Sequence, residues 1–180
     1  MTPSRVRKVL TISFLIARVL SMGVGVVVRW CCLIVLDGGG AMDADRASRT
    51  AVLVCQGRAA AHGRIGEGRF ADPVAMALLR DDERVAVQRV RAGDPPKGVR
   101  DRVDFEMVRA SAGTIVPRTV VIDDAVRARL VPQLVILGAG LDDRAWRMPE
   151  LAGVEVFEVD HPASQRDKRS RVGDLQPLAK

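Results

Sequence analysis

Residues Gln133–Pro162 read QLVILGAGLDDRAWRMPELAGVEVFEVDHP. Leu134–Leu137 is an apolar run of strand length that stops at Gly138-Ala139-Gly140, and Val154–Val159 is a second that stops at Asp160. Short continuous apolar runs bounded by turn residues are the signature of strands buried on both faces of a parallel sheet. Glycines between such strands let the backbone approach a ligand where a side chain would collide. A carboxylate about 20 residues further on can accept hydrogen bonds from a ribose diol, and Asp160 lies 20 positions after Gly140. Both groups then stand at the carboxyl ends of neighbouring strands, where open α/β sheets bind ligands.

Two nucleotide cofactors fit that outline, and the flanking residues separate them. A dinucleotide fingerprint needs a third glycine three places after the second, and Asp143 occupies that position. An NAD-dependent oxidoreductase is therefore the weaker reading. The residues Leu137-Gly138-Ala139-Gly140-Leu141-Asp142 with Arg144, Ala145 and Arg147, followed by Glu158-Val159-Asp160 and Pro162, give the segment two motifs at fixed separation. In both it resembles the leucine carboxyl methyltransferase family, in particular its bacterial branch of S-adenosyl-L-methionine-dependent methyltransferases. The resemblance extends upstream to about Ala47 and takes in ADP at Ala71–Pro73 and VPRT at Val116–Thr119.

The resemblance implies an α/β fold: the N-terminal part of a Rossmann-like class I methyltransferase, with a helical lid and the first two parallel strands, preceded by an apolar leader. On that division residues 1–41 are the leader, 42–131 the lid and 132–180 the start of the S-adenosyl-L-methionine-binding domain. It also implies that Asp160 meets the adenosine ribose, that Arg118 meets the carboxylate of the methionine moiety, and that Gly138, Ala139 and Gly140 form the turn beneath the cofactor. A guanidinium suits the Arg118 task through its bidentate fork and permanent charge; an ion pair with Asp123 or Asp124 is the alternative use of the same residue. The implied reaction is methyl transfer to a carboxylate or hydroxyl of a small molecule or protein, with no catalytic residue identified. The family's later strands and acceptor pocket have no counterpart before Lys180, so the expectation is an incomplete chain. A truncated, non-catalytic fragment with a residual cofactor cradle is the alternative.

Composition bounds these readings. The 180 residues have room for one domain of ordinary size, and with 48% apolar but only 3% aromatic residues the core must be aliphatic. The net charge of +6 raises the question of a polyanionic partner. Arg5, Arg7, Lys8, Arg18 and Arg29 against Asp37 place most of that excess in the leader. The body carries no basic stripe with interleaved aromatics, which argues against nucleic-acid binding. Cys31, Cys32 and Cys55 lack CxxC spacing and His62 and His161 are isolated, so no metal site or disulfide framework is implied and a reducing, cytoplasmic compartment is expected.

Val9–Val28 has the length of a membrane span, but Arg18 would sit near its centre at a cost of about 2.5–3.5 kcal/mol. Membrane association through residues 9–28, a signal peptide and a leader outside the working protein all remain open. The last of these rests on the break at Asp37-Gly38-Gly39-Gly40 and a polar restart at Met42. Ala47–Ala61 has helical spacing with Ser48 as a candidate N-cap, and Gly63–Gly68 reads as a connector. Asp72-Pro73 opens a predicted helix over Val74–Leu79, whereas charge-rich Arg80–Pro96 reads as a solvated loop. Two helices are then predicted, Val99–Ile115 with Val103, Met107, Ala110 and Thr114 on one face, and a second starting at Pro117, which suits a first turn. Arg144 and Arg147 are expected at the surface, the amides that start the short helix after the turn can face the cofactor, and Asp142 either caps that helix or contacts ligand.

Overall fold

The computed structural model describes Val26–Arg29 and residues 48–180. Cys31, Cys32, the break at residues 37–40, the restart at Met42 and most of the 9–28 segment lie outside the described residues. Among the described residues no helix is long and apolar enough to cross a membrane.

Three strands form one parallel sheet: β1 (Val26–Arg29), β2 (Gln133–Leu137) and β3 (Glu155–Val159), in the order β1-β2-β3. The two predicted strands are β2 and β3, paired from Gln133 against Glu155 to Leu137 against Val159. The β1 strand comes from the segment read as leader and pairs along the other edge of β2, Val26 opposite Leu134. Leu134, Val135 and Ile136 are all buried, as a strand covered on both faces requires.

Two stretches between Asp72 and Pro96 differ from expectation. The helix α1 (Arg49–Ala61) forms as predicted, its first turn closed by the Ser48 hydroxyl accepting from the Ala51 amide at 3.1 Å. Val74–Leu79 is a set of tight turns rather than a regular helix: the Asp72 carboxylate accepts from the amides of Val74 and Ala75 at 3.3 and 2.9 Å and holds the chain there. Its apolar residues Ala75, Leu78 and Leu79 are nonetheless core. The stretch read as a loop contains α2 (Asp81–Ala92). Three acids in its first turn, arginines in its last and Gly93 in left-handed conformation beyond it are favourable helix ends, and Val87 is fully buried.

The two helices predicted on either side of Pro117 are one, α3 (Val99–Ala128), with the proline inside it. Pro117 faces solvent and removes one rung of the ladder, while the buried stripe continues through it as Val108, Ala112, Ile115, Val116, Thr119 and Val120. Tertiary burial of that stripe outweighs the missing bond. The face carrying Val103, Met107, Ala110 and Thr114 is therefore not the core face. A glycine permits α1 to lie close against α3: a Cβ on Gly57 would stand 2.6 Å from Ser111 Oγ and 3.1 Å from its backbone.

After β2 come the Gly138–Gly140 turn, the short helix α4 (Arg144–Arg147) and a 3-10 turn, Pro149–Leu151, that leads into β3. The helix α5 (Pro162–Val172) follows β3, and the last residue pairs back on the strand, Lys180 N donating to Val154 O at 2.9 Å. One core lies among α1, α2, α3 and the 72–79 turns; a second lies about the sheet and includes Val126, Ile136, Ala145, Met148 and Val156. Leu141, in the glycine turn, belongs to the first core, so the turn is rooted in the helical layer.

Candidate functional site

The glycine turn owes its shape to backbone that only glycine adopts without strain. Gly138 and Gly140 have φ of +65° and +50°, in the left-handed region that costs a side-chain-bearing residue about 1–2 kcal/mol. A Cβ on Gly140 would also meet Ala51 Cβ at 2.9 Å. The amides of Gly138 and Ala139 both donate to Val159 O, at 2.7 and 3.3 Å, and Asp142 N donates to Ala139 O at 2.8 Å. Those amides are spent inside the protein. The amide that opens the following helix is bonded internally too, Arg144 N donating to Asp142 Oδ1 at 2.9 Å.

Asp160 stands at the end of β3 beside this turn. Its Oδ2 accepts from Gly140 N at 2.5 Å and its Oδ1 from the His161 amide at 2.6 Å, fixing the carboxylate while leaving further lone pairs. Glu158, two residues earlier on the same side of the strand, is engaged elsewhere: its Oε2 lies 2.7 Å from Lys168 Nζ. Of the two carboxylates, Asp160 is the one that lines the cavity.

That cavity, of about 450 Å³, is lined by Arg118, Gly138, Ala139, Gly140 and Asp160 together. All five residues singled out in the sequence thus converge on one space, although 42 positions separate Arg118 from Asp160 in the chain. Leu53 and Val54 of α1, Met107 and Ala110 of α3, and His161 and Ser164 beyond β3 also line it, so the α3 face that is not core borders the cavity instead. Asp123 is held by Arg144 and Arg147, each at 2.7 Å, and Asp124 by Arg69 at 2.6 Å and Arg127 at 3.3 Å. The histidines sit at helix ends: His161 Nδ1 accepts from Ala163 N at 3.2 Å, and His62 Nδ1 from Asp72 N at 3.1 Å.

A buried ionic network adjoins the cavity, and two of its members, Arg58 and Asp142, are among the lining residues. Arg144 and Arg147, expected at the surface, are inside it. Arg144 pairs with Asp123 and Asp142, and Arg147 reaches Asp123 and, at 2.9 Å, Asp143. From the lid, Arg58 Nε donates to Asp72 Oδ2 at 2.7 Å while its Nη2 donates to Leu141 O at 2.8 Å and Asp143 Oδ2 at 3.1 Å. Lys168 Nζ closes the far side on Asp142 O. Buried charges persist only when paired in this way, and that demand pulls both arginines inward. Burial opposes the charge on Asp143 but is outweighed by Arg58 and Arg147, so its carboxyl is held well below its ordinary value; Asp142 is likewise lowered against burial by Arg144 and Lys168. Asp72 goes the other way, to about 7, through burial and the neighbouring Asp143. Arg58 and Asp72 had no individual signal in the sequence beyond the Ala71–Pro73 motif. Burial pushes the Cys55 thiol up to about 12, which keeps it protonated at neutral pH.

A parallel sheet with a glycine turn after one strand and an acid at the end of the next, both bordering one cavity, is the arrangement of the N-terminal part of a Rossmann-like fold. Residues 51–180 match the family model described as leucine carboxyl methyltransferase, and the chain belongs to that family. A protein of Mycobacterium sp. (strain JLS), provisionally named an S-adenosyl-L-methionine-dependent methyltransferase, is 34% identical over 123 residues, covering 67% of this chain and 40% of the relative. YktD of Bacillus subtilis (strain 168), named in the same terms, is 56% identical over 43 residues, 23% of this chain and 14% of the relative. A Mycobacterium bovis (strain BCG / Pasteur 1173P2) protein with such a name is 34% identical over 122 residues, 66% of this chain and 40% of the relative. The chain spans less than half the length of the curated relatives it matches.

Proposed function

We propose that the cavity is the S-adenosyl-L-methionine site of a methyltransferase and that the reaction it serves is methyl transfer to a carboxylate or hydroxyl oxygen. The observation that carries this reading is the meeting of Asp160, the Gly138–Gly140 turn and Arg118 around one space of about 450 Å³, a volume suited to a small-molecule cofactor. The residues fit the group. Asp160 retains lone pairs for a ribose diol after accepting its two amides. Gly140, whose missing side chain lets α1 lie against the turn at Ala51, lines the cavity with its backbone. Arg118 supplies a cation for the amino-acid carboxylate.

When bound, S-adenosyl-L-methionine supplies an electrophilic sulfonium methyl. This chain's residues contribute by holding and orienting: Asp160 anchors one end of the ligand, Arg118 the other, and the apolar walls from α1 and α3 exclude water between them. Positioning of this kind accounts for much of the acceleration available to an in-line displacement. The names of the relatives support the cofactor assignment, and Asp143 at the third-glycine position, buried between Arg58 and Arg147, weighs against a dinucleotide.

Calorimetric titration of S-adenosylhomocysteine into the full chain and into Asp160→Ala tests the reading, with NAD as competitor. Loss of charge-assisted bonds to the diol predicts binding weaker by about tenfold to a hundredfold in the variant. Equal affinity for parent and variant, or displacement of the ligand by NAD, would overturn the assignment.

A further inference from the structure

We infer that Arg58 is a positioning residue for ligand binding, holding the glycine turn in the shape that presents Asp160; this rests on the cofactor reading above. Arg58 is 2% exposed and sits on α1, yet its guanidinium bonds across to the turn, Nη2 donating to Leu141 O at 2.8 Å and Asp143 Oδ2 at 3.1 Å. On its other side Nε donates to Asp72 at 2.7 Å. Ala51 lies seven residues before Arg58, two helical turns away and so on the same face of α1, and it is the residue that a Cβ on Gly140 would strike.

The helix therefore grips the turn at two points, by steric contact at Gly140 and by hydrogen bonds at Leu141 and Asp143. Asp142 N closes the same turn on Ala139 O, and Gly140 N in turn orients Asp160 Oδ2 at 2.5 Å. A displaced Leu141 shifts the adjoining Gly140, whose amide holds the carboxylate that lines the cavity. The guanidinium reaches Asp72 from Nε and Leu141 and Asp143 from Nη2; an ammonium keeps the charge and three N–H groups but offers them from a single atom, and loses that spread.

The test compares S-adenosylhomocysteine affinity with thermal midpoint in the full chain, in Arg58→Lys and in Cys55→Ala. Cys55 is a fully buried residue of α1 whose thiol bonds to Ala75 O and which does not line the cavity. Cys55→Ala thus loosens the same helix without touching the turn. Arg58→Lys is expected to weaken binding by about tenfold or more beyond what its midpoint loss predicts from Cys55→Ala, whose affinity stays at the parent value. Should Arg58→Lys fail to fold, Asp143→Asn, which removes the charge on the turn side of the guanidinium, is expected to separate affinity from midpoint in the same way. Affinity that merely tracks the midpoint in all variants, or a folded Arg58→Lys that binds like the parent, overturns the role of Arg58 alone. A parent chain that takes up no S-adenosylhomocysteine overturns the cofactor reading and this role with it.

Discussion

Asp72 and Asp143 contact the same guanidinium and yet ionise differently. Asp143 receives Arg58 and Arg147, whereas Asp72 has Arg58 at 2.7 Å and Arg147 only at 3.9 Å. Burial lifts Asp72 to about 7 from its ordinary value of 3.8. The folded protein therefore keeps a proton that the unfolded chain has lost throughout that interval, and stability falls as pH rises from about 4 to 7 through this group. Asp142 and Asp143, held low, act in the opposite sense: their contribution is present above the ordinary aspartate range and disappears as acid protonates them in the fold. Asp72→Asn should accordingly flatten the decline between pH 4 and 7 in urea midpoints while leaving the acid limb in place. An unchanged slope would show that Asp72 is ionised across the interval. The glycines and Asp160, picked out by type and spacing, and Arg118, picked out by the family resemblance, line one cavity. The sequence concealed Arg144 and Arg147, three apart on a short helix, because their burial depends on Asp123, which lies more than 20 positions upstream.

Among the elements, α3 and the glycine turn set local preference against tertiary demand in opposite ways. Pro117 interrupts a helix whose buried stripe runs on without a break, so the proline is a cost carried by packing. Pro117→Ala should restore the rung and raise denaturant stability by up to about 3 kcal/mol; a fall in stability would mean that the proline bends α3 onto its partners. Gly140→Ala runs the other way, combining φ of +50° with a Cβ 2.9 Å from Ala51, and should cost about 1–3 kcal/mol together with ligand affinity. Gly63→Ala, at φ +67° with nothing within 4 Å, isolates the backbone strain and should cost less by the same thermal measurement. A loss at Gly63 equal to that at Gly140 would discount the close approach of α1. The strands β2 and β3 and the helix α1 were readable because short runs of strand length ending at turn residues and a serine cap are local signals; β1, inside the segment read as leader, was not. The boundary at Pro117 and the absence of a helix at Val74–Leu79 were not, since propensity yields there to burial. The helix α2 was missed despite carrying its end signals, because its charged surface masks the few residues, Val87 above all, that it buries.

At the scale of the whole molecule, the sheet joins two parts of the chain that composition separates. The division at residues 41 and 42 rests on a charge and glycine break, whereas Val26–Arg29 lies before that break and pairs with β2. Among the described residues the walls of the cavity run from Ser48 to Ser164. A chain beginning at Met42 should therefore bind S-adenosylhomocysteine with the affinity of the full chain. It would also present the outer edge of β2 unpaired, a row of free N–H and C=O groups that invites association, so it should elute with a larger aggregated fraction in size-exclusion chromatography. Fractionation of cells producing the two forms adds the third readout, since we propose a cytoplasmic protein whose residues 9–28 are not an anchor. Both forms are then expected in the soluble fraction. Membrane retention of the full chain that disappears in the Met42 form would establish the anchor, and loss of ligand binding in the Met42 form would show that β1 supports the cradle as well as the sheet.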